Sequence, residues 1–227
     1  MSLLLLVAQP LQAEEFRKSN LAKLSALGFK ASPSLPNFEE RGLGGLRPQG
    51  EIEARFAALH ALVIWVAAPA GTVDDKGMQK RALTGALSVW VTEEEKEIFR
   101  LSKAEANEKY LDSIGWQMEN MWALGWVLGY HTQPELRGQL QGELARDLVF
   151  KFGLSDERSL RSFEEVRDLE DLFYCTHNAV RGAWLGGKTV PEGYDSFTDG
   201  REISERRHAL TWCLSPGVSW DKTDLST

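Results

Sequence analysis

Cysteine is nearly absent from this chain of 227 residues, which carries two, Cys175 and Cys213. Without a third or fourth thiol neither a zinc cluster nor a disulfide framework can be assembled, and both are expected as buried free thiols in a reducing cytoplasm. Positive charge is also in short supply. The net charge of −7 opposes a phosphate backbone. Arg206 and Arg207 are flanked by Glu202 and Glu205, so no nucleic-acid partner is expected. Long apolar runs are missing as well: Ala57 to Ala70 and Met121 to Tyr130 fall short of the roughly eighteen residues that a membrane span needs, so no membrane partner is expected either. The leucine-rich start lacks the positive flank of a signal peptide, and Leu11 stands where a small residue should precede a cut after Ala13. Residues 1–13 are expected as a tail or a short strand, and 14–227 as a single helical domain.

Alternating, strand-like runs are nearly absent too, while helical periods recur from end to end. The fold class is therefore all-α, a single compact multi-helix domain. A first helix is expected from Ala13 to Leu27, stopped by Gly28, and then a loop punctuated by Pro33, Pro36, Gly42, Gly44, Gly45 and Pro48. Ile52, Phe56, Leu59, Leu62, Val63 and Val66 mark an amphipathic helix that Pro69 ends. Another helix is expected from about Lys76 to Trp90. Thr92 with Glu95, Ser102 with Glu105 and Ser162 with Glu165 have the spacing of capping boxes. The segment Ile114 to Leu128 is apolar nearly all round and should be a central, tryptophan-rich core helix. Leu140, Leu144, Leu148 and Val149 mark a further helix closed by Gly153. Val166 to Trp184 marks a long one ended by Gly186-Gly187, and Ile203 to Leu214 the last, ended by Pro216.

The motifs that suggest chemistry fail in their contexts. Gly182-Ala183-Trp184-Leu185-Gly186-Gly187-Lys188-Thr189 has the spacing of a phosphate-binding loop, but a helix precedes it and Val190-Pro191 follows, where a strand and a helix are required. The two glycines read as a helix stop. Glu205-x-x-His208 is half of a di-iron motif and has no second copy, and no zinc-protease or nucleophile-elbow pattern exists, so neither a metal nor a cofactor is expected.

What remains is polar residues set among apolar ones. Glu119 shares a helix face with Trp122 and Trp126, and a buried carboxylate there requires a cationic partner. Asp171, Tyr174, His177 or Asn178, and Arg181 follow one another at helical spacing. Glu205, His208 and Trp212 share a face of the last helix, with Arg206 adjacent. These groups either hold helices in register as ion pairs or converge on one ligand cleft. Trp65, Trp122, Trp126 and Trp184 are expected in the core. Trp116, Trp212 and Trp220, beside Glu119, Glu205 and Asp221, are the expected walls of a site.

The last helix, Ile203-x-Glu205-Arg206-Arg207-His208-Ala209-Leu210-x-Trp212, followed by Trp220-Asp221, resembles the C-terminal signature of an uncharacterised, mainly bacterial family, domain of unknown function 4272. Arg17 to Phe29, Leu35-Pro36, Glu51 to Arg55 with His60, Trp116-x-x-Glu119 with Trp122 to Gly125, and Asp171 to Arg181 resemble its other blocks. Gln117 and Thr211 depart from it, at positions where the family pattern has arginine and asparagine. The resemblance implies a helical, cytoplasmic single domain and adds no chemistry. Two functions fit the sequence. One is a binding or interaction module for a protein partner or small ligand, using Trp116, Glu119, Arg181, Glu205, Arg206 and Trp212. The other is a hydrolase-like enzyme with Glu205 or Asp171 as base, His208 or His177 as acid, and Arg206 or Arg181 holding an anion.

Overall fold

The computed structural model describes residues 8–130, 132–151 and 158–227. Among the described residues there are eight α-helices and no strand: α1 (Ala8–Ala26), α2 (Gln49–Ala67), α3 (Asp75–Leu83), α4 (Glu93–Arg100), α5 (Lys103–Val127), α6 (Gly142–Phe150), α7 (Phe163–Trp184) and α8 (Thr198–Cys213), with a 3-10 turn at Trp220–Lys222. No described helix is long and apolar enough to cross a membrane.

Local chemistry sets the starts of α4, α5 and α7. In each, the cap hydroxyl of Thr92, Ser102 or Ser162 accepts from the backbone N–H three residues on, and the glutamate there reaches back to the cap N–H. Each box satisfies two otherwise orphaned donors and places negative charge at the positive end of a helix dipole. Glycine sets the ends. Gly129 closes α5 with φ at 78°, and an added Cβ would collide with the Ser159 carbonyl. Several boundaries differ from expectation: α5 begins at Lys103 rather than Ile114, and α8 at Thr198 rather than Ile203. The first helix begins at Ala8, so residues 8–13 are helical rather than a strand; Pro10 is tolerated because the first turn has no intrahelical acceptor for its missing N–H. Residues 1–7 and Gly153 lie outside the described residues. The helix expected to reach Trp90 stops at Leu83, where Thr84 and Gly85 disfavour continuation and residues 85–91 form turns closed by Trp90 N–H and Val91 N–H on the Leu87 carbonyl.

Burial is organised around α5, which packs against α2, α6 and α8, while α7 packs against α8 and α1. Ile52, Phe56, Leu59, Leu62 and Val66 of α2 meet Met121, Leu124 and Val127 of α5 and Ile203 and Leu210 of α8 in the main cluster. Truncating one of these, as in Leu59→Ala, removes transfer energy and leaves a cavity, at a cost of about 2–5 kcal/mol. A smaller cluster joins Leu24, Phe29, Tyr174, Cys175, Val180 and Tyr194. Both cysteines are free and buried. Burial pushes the Cys175 thiol up to about 12, which makes it a packing group. Trp65, Trp122 and Trp126 are core, but Trp184 is not. At 45% exposure it caps the last turn of α7, stacked on the exposed Phe197 with its indole N–H donated to the Ser196 carbonyl.

Candidate functional site

Helix α8 carries Glu202, Glu205, Arg206, Arg207 and His208, and consecutive residues on a helix point about 100° apart. Neighbours in sequence therefore serve different sides of the fold.

Arg206 faces α5. Its Nε donates to Glu119 Oε2 at 2.7 Å, its Nη1 and Nη2 donate to the Glu135 and Gly138 carbonyls at 2.6 and 2.8 Å, and its guanidinium lies 4.6 Å from the Trp122 ring. Glu119 Oε1 accepts from the Leu140 N–H at 3.2 Å. The cationic partner that Glu119 requires is thus Arg206, sealed under residues 135–140. Glu202 shares the same arginine at 3.7 Å, yet neither of its buried oxygens has a hydrogen bond. Burial first, opposed by Arg206 and reinforced by Glu119 and Asp199, pushes its carboxyl up to about 7.

Arg207 faces α7, where Asp171 accepts from Arg17 Nε at 2.7 Å and Asn20 Nδ2 at 3.0 Å. Glu170 takes both terminal nitrogens of Arg41 and the Thr211 hydroxyl. Arg41, Arg207 and Arg17 surround the Tyr174 ring at 3.9, 4.8 and 5.6 Å. His177 Nδ1 accepts from Arg207 Nη1, so the imidazole is uncharged, and burial together with Arg207 and Arg181 pulls it down to about 3. Arg181 lies on the exposed face of α7.

Glu205 and His208 face a cleft between α4, α5, α8 and the 3-10 turn, a cavity of about 620 Å³ floored by Leu62 and Ile114. Trp116, Trp220, Asp221, Asn120 and Arg201 also line it. Glu205 Oε2 accepts from Asn120 Nδ2 at 2.7 Å, while Arg201, half exposed, sits 3.7 Å from Oε1 with its guanidinium 4.4 Å from the Trp116 ring. Burial pushes the Glu205 carboxyl above its ordinary value against the pull of Asn120 and Arg201. His208 Nε2 lies 2.9 Å from the Trp220 carbonyl. A carbonyl only accepts, so Nε2 carries the proton; burial pulls this imidazole down to about 4 and it is uncharged at neutral pH. Trp220 is gripped by the His208 ring at 4.2 Å and the Arg55 guanidinium at 4.1 Å, and Arg55 pairs bidentately with Glu95 at 2.8 and 2.6 Å. Five carboxylates, Glu93, Glu94, Glu95, Glu205 and Asp221, line the cleft with one arginine, Arg201; Glu95 is paired with Arg55 and Glu93 with Lys96.

Of the residues marked in the sequence, the cleft brings together Trp116, Glu205, His208, Trp220 and Asp221. It does not include Glu119 and Arg206, which close on each other, nor Asp171, His177 and Arg181 on the α7 side. Trp212 is 2% exposed, lies under the Arg47 guanidinium at 4.0 Å and edges Trp220 at 5.3 Å, on the wall of an adjoining cavity. Asn120 and Arg201 were not marked. Each had a signal: Asn120 is polar inside an apolar helix, and Arg201 precedes Glu205 by one helical turn. The glycine stretch after α7 has the wrong polarity for phosphate. Gly187 N–H donates to the Gly182 carbonyl and the Thr189 hydroxyl to the Ala179 carbonyl, so the loop folds onto the carbonyl end of a helix.

Among the described residues no group of three His, Cys, Asp or Glu side chains is placed to hold a metal ion. No curated protein and no solved structure matches the chain. A family model does match, over residues 16–223, nearly the whole chain and every residue of the cleft, and the protein therefore belongs to the family described as Domain of unknown function (DUF4272).

Proposed function

We propose that the protein is a binding module that takes a cationic group, a guanidinium or an ammonium, in the cleft between Trp116, Glu205 and Trp220. The supporting observation is that Arg201 already rehearses this recognition. Its guanidinium lies over the Trp116 face beside Glu205, but it is half exposed and the pairing distance is 3.7 Å, longer than a hydrogen bond. An indole face and a partly desolvated carboxylate are what an organic cation requires. Beyond the Arg55–Glu95 and Lys96–Glu93 pairs, Glu94, Glu205 and Asp221 outnumber Arg201 around the cleft, which favours cations over anions. Asn120 adds a buried Oδ1 that has no donor beside it. The two buried free thiols suit work in a reducing compartment, in keeping with a cytoplasmic location.

A hydrolase built on these groups is the weaker reading, because both imidazoles that would serve as acid are uncharged at neutral pH and His208 has its N–H committed to the Trp220 carbonyl. Calorimetric titration at low salt with arginine amide and with tetramethylammonium tests the binding reading. Saturable binding of either cation, lost at least tenfold in Glu205→Gln with an unchanged melting profile, is expected. Absence of binding for both cations at millimolar concentration would overturn the reading. Comparing arginine amide with an arginine-containing peptide separates a small ligand from a partner's side chain.

A further inference from the structure

On the opposite side of α8 from the cation cleft, Arg207 is a buried cation bonded only to neutral acceptors. It is 1% exposed, and its Nη1 donates to the Leu225 carbonyl at 2.9 Å and to His177 Nδ1 at 2.8 Å, while its Nη2 donates to the Ser226 carbonyl at 3.0 Å. Its Nε has no hydrogen-bond partner. Glu170 Oε1 stands 3.9 Å from that nitrogen and already accepts from Arg41 and Thr211. Three guanidinium groups, those of Arg17, Arg41 and Arg207, surround Tyr174, where two carboxylates, Glu170 and Asp171, are bonded to the first two. The carboxylate left to balance Arg207 is that of exposed Asp224, which attracts it without a hydrogen bond, and burial pulls the Arg207 group down to about 10.

Beside it lies a cavity of about 390 Å³ lined by Glu40, Arg41, Tyr174, Arg207, Thr211 and Lys222 and covered by Asp224 and Ser226. Residues 223–227 belong to no helix, and Asp224 and Ser226 are exposed. Within the segment, Ser226 N–H donates to Asp224 Oδ1 at 2.9 Å. We propose that the cavity is an oxyanion site for a carboxylate or phosphate group, and that residues 224–226 cover it as a displaceable strap. An oxyanion would give Arg207 charge-assisted, bidentate bonds in place of two neutral carbonyls, and would take over the charge balance that Asp224 supplies only at a distance. The strap gives up its two carbonyl bonds to Arg207 and the attraction of Asp224 to that guanidinium, and its backbone returns to water.

The probes are inorganic phosphate and succinate, each compared with chloride at equal ionic strength. In the full chain, phosphate or succinate speeds hydrogen exchange at the Leu225 and Ser226 amides and raises the melting temperature. A chain stopped after Lys222 binds the effective anion at least tenfold more tightly, and Arg207→Lys in that shortened chain reverses the gain. The anion that acts identifies the group, phosphate or carboxylate. Unchanged exchange in the full chain with every anion overturns the proposal. So does equal anion affinity in the full and shortened chains. If the shortened chain does not fold, the exchange measurement on the full chain decides alone.

Discussion

Between α5 and α8 the same three groups, a carboxylate, a guanidinium and a tryptophan of α5, meet in two arrangements. In the first, Glu119, Arg206 and Trp122 lie under residues 135–140, whose Glu135 and Gly138 carbonyls and Leu140 N–H take up the remaining polar atoms. In the second, Glu205, Arg201 and Trp116 have no such cover and face a cleft. The pairing distance is 2.7 Å in the closed set and 3.7 Å in the open one. Residue type does not separate a closed structural clamp from an open cleft here. The segment laid over it does.

The largest expected effect is in the closed set. Arg206→Ala strands Glu119 as a buried, unpaired carboxylate, and urea denaturation should show a loss of about 3–5 kcal/mol. The same change at half-exposed Arg201 should cost less than about 1 kcal/mol. Near-equal losses would erase the distinction between the two sets.

Glu202 gives the next effect, through pH. Its folded carboxyl is pushed up to about 7 from 4.5, so its contribution is full below about pH 4.5 and is lost as pH rises through 7. Glu202→Gln removes that loss. Relative to the parent protein it should be near neutral at pH 4.5 and more stable by about 3 kcal/mol at pH 8, measured by denaturation at both values. His177 has the opposite slope. It is pulled from 6.5 to about 3, so its contribution is present above 6.5 and lost as pH falls, which is why the comparison must be made between the two proteins at each pH. A constant difference across pH would show that Glu202 is ionised throughout.

The smallest effect is on affinity. Removing Arg201 in Arg201→Ala frees the Trp116 face, and the affinity for arginine amide should rise a few-fold in the same titration; a fall would mean that Arg201 belongs to the site instead of standing in for its ligand.

Features governed by local chemistry were legible in the sequence. The capping boxes at Thr92, Ser102 and Ser162 involve residues three apart, and α2 and α5 are long enough for their apolar patterns to decide. Trp184 was misplaced because its helical period continues one turn beyond the elements that cover α7. For the site, the sequence marked Glu205, Arg206 and His208 together, but the turn of the helix sends Arg206 to Glu119 and leaves Glu205 and His208 in the cleft. Partners such as Asn120 for Glu205, or Arg41 for Glu170, lie far away in the chain. Pattern can say that a buried charge needs a partner, and only packing says which one.

The most direct test follows the indole N–H resonances of Trp116 and Trp122 in one NMR titration with arginine amide. The open set should respond, with a saturable shift at Trp116, while Trp122, whose N–H is donated to the Thr132 carbonyl at 2.8 Å, stays in place. A Trp116 resonance that does not move, or equal movement of both, would contradict the account.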